Sequence, residues 1–484
     1  MLCTTIYLLL LSVLGNALED SPKKLLQNPT GKIYNFLSKD FKKSNNETSE
    51  WAVGEALFLT PLIKSGQIEK ARLLATVPPL LEGIESFSGY LTVRKDIFSN
   101  LFFWLFKSRL ENWEERPLVI WLQGGPGVSS MYGLFKELGP FQVDDNDDKL
   151  TLEKRQYSWH HDYNLVFIDN PVGAGFSFTK SDSGYARTQT DVARDLYNAL
   201  NQLYQLFPAL KKNKLIIAGE SYAGKYIPAI AYKIYRTNKE KLPEFKIPLA
   251  GIIMGNAYTD PYNMLDMSSY LYQLGLIDER TKQSFFETED DIRAYIRAGM
   301  YNSAYAVRRD YLSEITDVTG LKRYYDFMDD EPGLGGPYVK FLNDPKTRRA
   351  IHVGNYEFNE YSMDAKLNLR SDFAQSVKPW VEELLAAEEF PILFYTGQLD
   401  IIVAYPLSRN FYLSLQWPRA VDYHFGKRCQ FVVDSEVAGY YKTAGTFTEI
   451  LVRNAGHMVP ASQPKWASAL LETFISNSSA FECK

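Results

Sequence analysis

Between Lys214 and Pro228 the chain reads Lys-Leu-Ile-Ile-Ala-Gly-Glu-Ser-Tyr-Ala-Gly-Lys-Tyr-Ile-Pro, and no other stretch constrains its fold as much. The apolar run Leu215 to Ala218 has the length and branching of a short buried strand. Two residues either side of Ser221 the chain is small (Gly219, Ala223), with Gly224 just beyond. Apolar residues then recur at helical spacing, at Tyr226, Ile227, Ile230 and Ala231. Strand, tight turn, serine and helix make a nucleophile elbow, which holds a hydroxyl out at the end of a sheet. A bulky neighbour would clash in so tight a turn. Small-x-Ser-x-small also occurs in ordinary turns, so its meaning depends on what the rest of the chain brings to the serine.

Further runs read as strands: Phe87 to Val93, Asn100 to Phe106, Pro117 to Leu122, Asn164 to Asp169, Pro248 to Met254, Phe390 to Tyr395 and Thr446 to Val452. Asp191 to Leu206 carries helical periodicity through Val192, Leu196, Leu200 and Leu203. Strands alternating with helices predict an α/β fold, a mostly parallel central sheet with helices on both faces. In such sheets the reactive groups gather at the carboxyl ends of the strands. From 261 to 378 the pattern turns polar, aromatic and irregularly helical, with a Pro/Gly cluster from Glu331 to Pro337. That segment reads as a cap insertion packed over the sheet. The predicted organisation is an N-terminal extension (18–85), a core in two parts (86–260 and 379–484) and the insertion between them.

The 484 residues, 45% hydrophobic and 14% aromatic, suffice to bury such a core. A formal charge of −5 with no Lys/Arg block gives no basis for nucleic acid or a membrane as partner. The acidic run Asp144 to Asp148 reads as a solvated loop tip. At the N-terminus, Ile6 to Leu14 is apolar but too short to span a bilayer. Gly15-Asn16-Ala17 puts small residues where a signal peptidase reads. Residues 1–17 are therefore expected to be a signal peptide, and the protein to be soluble in the secretory pathway, secreted or lysosomal. Asn46-Glu-Thr48 and Asn477-Ser-Ser479 are candidate glycosylation sites on that route. Of three cysteines, Cys3 falls in the signal; Cys429 and Cys483 remain, and their pairing is left open.

A serine nucleophile needs a base, and the base needs an acid to orient it. Among the five histidines, His457 alone follows a clear strand closely, in Arg453-Asn-Ala-Gly-His-Met-Val-Pro460. Asp400 follows the strand at Phe390 to Tyr395 across a short loop and gives the chain order Ser…Asp…His, that of α/β-hydrolases. Asp260 is a rival, also placed after a strand but leading into Pro261 and the insertion. A further strand end carries Gln123-Gly124-Gly125-Pro126-Gly127, which lacks the Lys-Ser/Thr of a phosphate-binding loop. In acyl transfer such a loop supplies one oxyanion donor and the residue after the nucleophile the other, which points to the N–H groups of Gly125 and Tyr222. No His/Cys/carboxylate group has ligand spacing, and neither metal nor cofactor is expected.

Four segments, in this order, resemble the signatures of serine carboxypeptidases: Trp121-Leu-Gln-Gly-Gly-Pro-Gly-Val-Ser-Ser130, Ile168-Asp-Asn-Pro-Val-Gly-Ala-Gly-Phe-Ser177, Gly219-Glu-Ser-Tyr-Ala-Gly-Lys-Tyr-Ile-Pro228 and Asn454-Ala-Gly-His-Met-Val-Pro460. The N-terminal part and Gly397-Gln-Leu-Asp-Ile-Ile-Val403 look closest to the vitellogenic-like members. The resemblance implies Ser221, Asp400 and His457 as the triad. It also implies that Glu220, Gln123 and the Gly124 amide hold the substrate's terminal carboxylate. Many relatives have asparagine where this chain has Gln123, whose amide stands on a longer arm. Many also carry disulfides in the insertion, which here has no cysteine. The implied activity is removal of C-terminal residues from peptides and proteins with a free C-terminus, through an acyl-enzyme.

A carboxylate beside the nucleophile repels a terminal carboxylate, whereas a protonated Glu220 donates a hydrogen bond to it. Proximity of like charges raises carboxyl pKa values, so binding is expected to favour acid. The base must be neutral, and free histidine titrates near 6.5; the two demands together predict a bell-shaped kcat/KM profile centred on mildly acidic pH. Two other functions fit the same residues: an esterase or acyltransferase using the same triad, and a secreted binding protein whose catalytic scaffold is vestigial. Side-chain preference and oligomeric state are not written in these motifs.

Overall fold

The computed structural model describes residues 53–146, 149–242, 246–328, 333–476, 481 and 483. The expected signal peptide and both candidate glycosylation sites, Asn46 and Asn477, lie outside the described residues.

Thirteen strands form: β1 Thr76–Val77, β2 Ser86–Arg94, β3 Ser99–Phe106, β4 Leu118–Leu122, β5 Phe141–Asn146, β6 Lys149–Lys154, β7 Asn164–Ile168, β8 Leu215–Glu220, β9 Leu249–Gly255, β10 Ile392–Gly397, β11 Cys429–Val433, β12 Glu436–Ala444 and β13 Phe447–Val452. Eleven of them make one sheet in the order β1-β2-β3-β7-β4-β8-β9-β10-β13-β12-β11. The six strands from β7 to β13 in that order are parallel, and antiparallel strands extend the sheet at both edges. The parallel strands read as continuous apolar runs because both their faces are covered. Alternate residues serve opposite sides: Leu118, Ile120 and Leu122 of β4 enter one buried cluster, Val119 and Trp121 the other.

Helices α1 Gln189–Leu206 and α2 Ala223–Glu240 pack on the first cluster. A helix α3, Tyr301–Thr319, belongs to the helical stretch between β9 and β10. Helix α4, Pro464–Ser476, covers the opposite face through Leu470, Leu471 and Phe474. Helix α1 starts two residues before Asp191 because Thr188 and Asp191 form a capping box, each side chain accepting from the other's backbone N–H. No helix among the described residues is long and apolar enough to cross a membrane.

Three features depart from the sequence expectations or go beyond them. The strands β11 and β12 were not foreseen. They are antiparallel edge strands of mixed polarity, so their pattern lacks the apolar run that marked the centre. The acidic run at Asp144 is not wholly a loop tip, since Asp144 and Asp145 belong to β5 of the hairpin β5–β6. The side chain of Asp145 there pairs with Lys340 at 2.7 Å. Cys429 and Cys483 are joined as a disulfide, which ties the C-terminal end to the outermost strand.

Candidate active site

The elbow sits where β8 hands over to α2. Ser221 has φ 61°, a left-handed conformation that turns the chain within one residue. Its N–H donates to Gly255 O at 2.9 Å, and its carbonyl accepts from Gly224 and Tyr258, each at 2.9 Å. The neighbours Glu220 and Tyr222 are buried, whereas Ser221 is partly open. The Gly-rich loop after β4 presses against this turn. A Cβ on Gly124 would lie 2.6 Å from Tyr222 N and 2.7 Å from Ser221 Cβ, a distance real side chains do not tolerate. Among the described residues no protein acceptor takes the N–H of Gly125 or of Tyr222.

The ends of β10 and β13 bring Asp400 and His457 together. Asp400 Oδ2 lies 2.8 Å from His457 Nδ1, both side chains buried. The rival Asp260 bonds instead to Asn263 within its own loop. Asp400 Oδ2 also accepts from Asn256 Nδ2 at 2.6 Å, and Oδ1 accepts from Val403 N at 3.2 Å. Asn256, in the loop after β9, is not marked by any of the sequence motifs. Its Oδ1 takes Gly397 N at 3.2 Å, so its side chain fixes both the acid and the strand end that carries it. His457 is held by its backbone N–H on Tyr325 O at 2.6 Å. Its Nε2 is buried with no protein partner among the described residues. Serine–histidine hydrogen bonds of this kind are often long before substrate binds.

Behind the elbow lies a cluster that the sequence revealed only in part. Gln123 Nε2 donates to Glu220 Oε1 at 2.7 Å and to Glu137 Oε1 at 3.2 Å, while its Oε1 accepts from Trp121 Nε1 at 2.7 Å. All three acidic and amide side chains are buried. Gly133 makes room for the cluster, because a Cβ there would lie 2.1 Å from Trp121 Nε1 and 3.0 Å from Gln123 Oε1. Burial pushes the Glu137 carboxyl up to about 7. Burial, then the charge of Glu137, raises Glu220 well above the carboxylate range. Two like charges cannot both be sustained there, so the pair keeps a proton at neutral pH. Neither Glu137 nor the bond from Trp121 to Gln123 is expected from the sequence motifs. The one available signal was the charged pair Lys136-Glu137 inside the otherwise apolar stretch Met131 to Leu138.

A sheet of this order carrying an elbow, a Gly-rich loop and a His–Asp loop pair is the architecture of an α/β-hydrolase. Its structural likeness extends to Kex1(delta)p, a prohormone-processing carboxypeptidase from Saccharomyces cerevisiae, with TM-score 0.74 and 25% identity over 84% of this chain and 96% of that one. The serine carboxypeptidase family model matches residues 78–477. The venom serine carboxypeptidase of Apis mellifera is 44% identical over 88% of this chain and 91% of its own length. The vitellogenic carboxypeptidase of Aedes aegypti is 42% identical over 87% and 90%. The chain belongs to the serine carboxypeptidase family, and is a hydrolase of peptide substrates.

Proposed function

We propose that Ser221 is the nucleophile, His457 its base and Asp400 the acid that orients the base, with the N–H groups of Gly125 and Tyr222 as oxyanion donors. Ser221 Oγ attacks the last peptide carbonyl while His457 Nε2, unpartnered in the resting site, takes its proton. The imidazolium, steadied by Asp400, then protonates the leaving amine. Water, deprotonated in turn by His457, hydrolyses the acyl-enzyme. Asn256 is a positioning residue for Asp400.

The observation that carries a carboxypeptidase reading for these residues, and not an esterase or acyltransferase one, is the Gln123–Glu137–Glu220 cluster directly behind the nucleophile. With a proton kept on the pair, Glu220 donates to the substrate's terminal carboxylate beside the Gly124 amide. Gln123 orients Glu220, and by giving up its longer bond to Glu137 it donates to the carboxylate as well. Because that proton leaves as pH rises, binding favours acid. Residues 261–378 serve as a cap over the site. The apolar pattern within residues 1–17, and a similar protein named for venom, support a secretory route, with Asn46 and Asn477 as glycosylation sites and a secreted or lysosomal destination.

Comparing release of the last residue from a free-acid peptide and from its C-terminal amide tests the cluster. The free acid is expected to be strongly preferred, and equal rates would favour an esterase or acyltransferase. Ser221→Ala is expected to abolish fluorophosphonate labelling and turnover while the protein stays folded; unchanged turnover removes Ser221 from the mechanism. A folded wild-type protein that never labels would favour a vestigial scaffold.

A further inference from the structure

The residues flanking Ser221 diverge. Glu220 bonds with Gln123, which is held by Trp121, and Trp121 belongs to the buried cluster on one face of the sheet. Tyr222 packs with Tyr258 and Phe373 in the cluster on the other face. The Phe373 ring lies 5.2 Å from Tyr222 and 4.9 Å from Tyr258, and Tyr258 N–H donates to Ser221 O. These rings form an aromatic shelf that begins at the nucleophile. Arg308, on the inner side of α3, lies over it, its guanidinium carbon 4.8 Å from the Tyr258 centroid and 5.3 Å from that of Phe373.

Arg308 is half-buried, yet among the described residues no carboxylate stands within ion-pairing distance of it. The acids that act on the shelf rings are already engaged. Asp260 takes Asn263, and Asp372 takes Lys225, Gln189 and Tyr222. A guanidinium lying over aromatic rings still has N–H donors to offer a planar carboxylate. With the terminal carboxylate on the Glu220 side, as the proposed function has it, a peptide crossing Ser221 brings the side chain before the scissile bond to the Tyr222 side.

We propose that Arg308 and the Tyr222–Tyr258–Phe373 shelf form a subsite for an acidic side chain, so that the enzyme prefers peptides whose penultimate residue is Glu or Asp. A charged hydrogen bond in a partly desolvated site corresponds to about 10- to 100-fold in kcat/KM.

The test measures kcat/KM for N-acyl dipeptides carrying Glu, Gln, Leu or Lys before a common terminal residue. It is run at about pH 6, where a free Glu is ionised. In the wild type Glu is expected to exceed Gln by about tenfold or more. Arg308→Gln is expected to bring that ratio close to one, and Arg308→Glu to turn the preference towards Lys. A wild-type ratio near one, or a ratio that survives Arg308→Gln, overturns the subsite. The readout is a ratio between substrates on one enzyme, so partial loss of folded protein does not alter it. Failure of the underlying mechanism would show separately, as Leu-peptide turnover that persists in Ser221→Ala.

Discussion

At the scale of single residues, the role proposed for the buried carboxyl pair predicts the pH behaviour. Glu137 is pushed up to about 7 and Glu220 is raised further by burial and by Glu137. The proton that lets Glu220 donate to a terminal carboxylate is therefore held in acid and lost as pH rises through the raised Glu220 titration. On the alkaline side kcat/KM should fall through KM with little change in kcat, as steady-state kinetics from pH 5 to 9 will show. Glu220→Gln, a permanent donor, should flatten that limb. Glu137→Gln should instead move the limb to lower pH by about one unit, because Glu220 then loses its like-charged neighbour. A limb that stays in place in both variants assigns the titration elsewhere. Of this pair the sequence showed Glu220, which stands beside the serine. Glu137 was hidden, because a lone acid in an apolar stretch does not say which distant group it meets, and Glu220 is far off in the chain.

At the scale of elements, loops from different strands are pinned together by few side chains. Lys225 on α2 is fully buried and bonds Asp372, which also accepts from Gln189 on α1 and from Tyr222. Burial alone would drive the Lys225 ammonium to lose its charge, and Asp372 opposes this. Asp372→Asn should leave an uncompensated buried cation and lower stability by about 3–5 kcal/mol, measured by urea unfolding. Lys225→Met with Asp372→Leu, which removes both charges, should recover most of that loss. Gly124→Ala forces a Cβ into the elbow backbone. With the proposed oxyanion donor Gly125 displaced, kcat should fall about 100- to 1000-fold, whereas retained activity would separate this loop from the chemistry. The elbow, the Gly-rich loop and the His457 loop were legible because each is a local pattern of small residues after an apolar run.

At the scale of the molecule, buried acids make the fold more stable in acid. Asp169, which holds Ser129 Oγ at 2.5 Å together with Ser130 N and Phe176 N, is pushed up to about 7 by burial, as is Glu137. Between the unfolded carboxyl value of about 4 and about 7 the native chain binds more protons than the unfolded one. Stability should therefore decrease as pH rises through that window, and calorimetry should find Tm lower at pH 8 than at pH 5. The disulfide spans a sequence separation of 54 residues. Replacing Cys429 and Cys483 by serine should cost about 2–4 kcal/mol, read from denaturant midpoints.

The sequence by itself determined the parallel centre of the sheet, the elbow and the order Ser221, Asp400, His457. Apolar periodicity and turn chemistry act between near neighbours in the chain, so a linear reading captures them. Tertiary structure alone decided which distant groups share a proton, an acceptor or a ring. Glu220 meets Gln123 across 97 residues, Asp400 meets Asn256 across 144, and Asp372 meets Lys225 across 147. The antiparallel edge, the Cys429–Cys483 bond and the place of Arg308 over Tyr258 belong to the same category. In each the deciding quantity is burial or a through-space distance, which the packing of the whole chain sets and no short segment encodes.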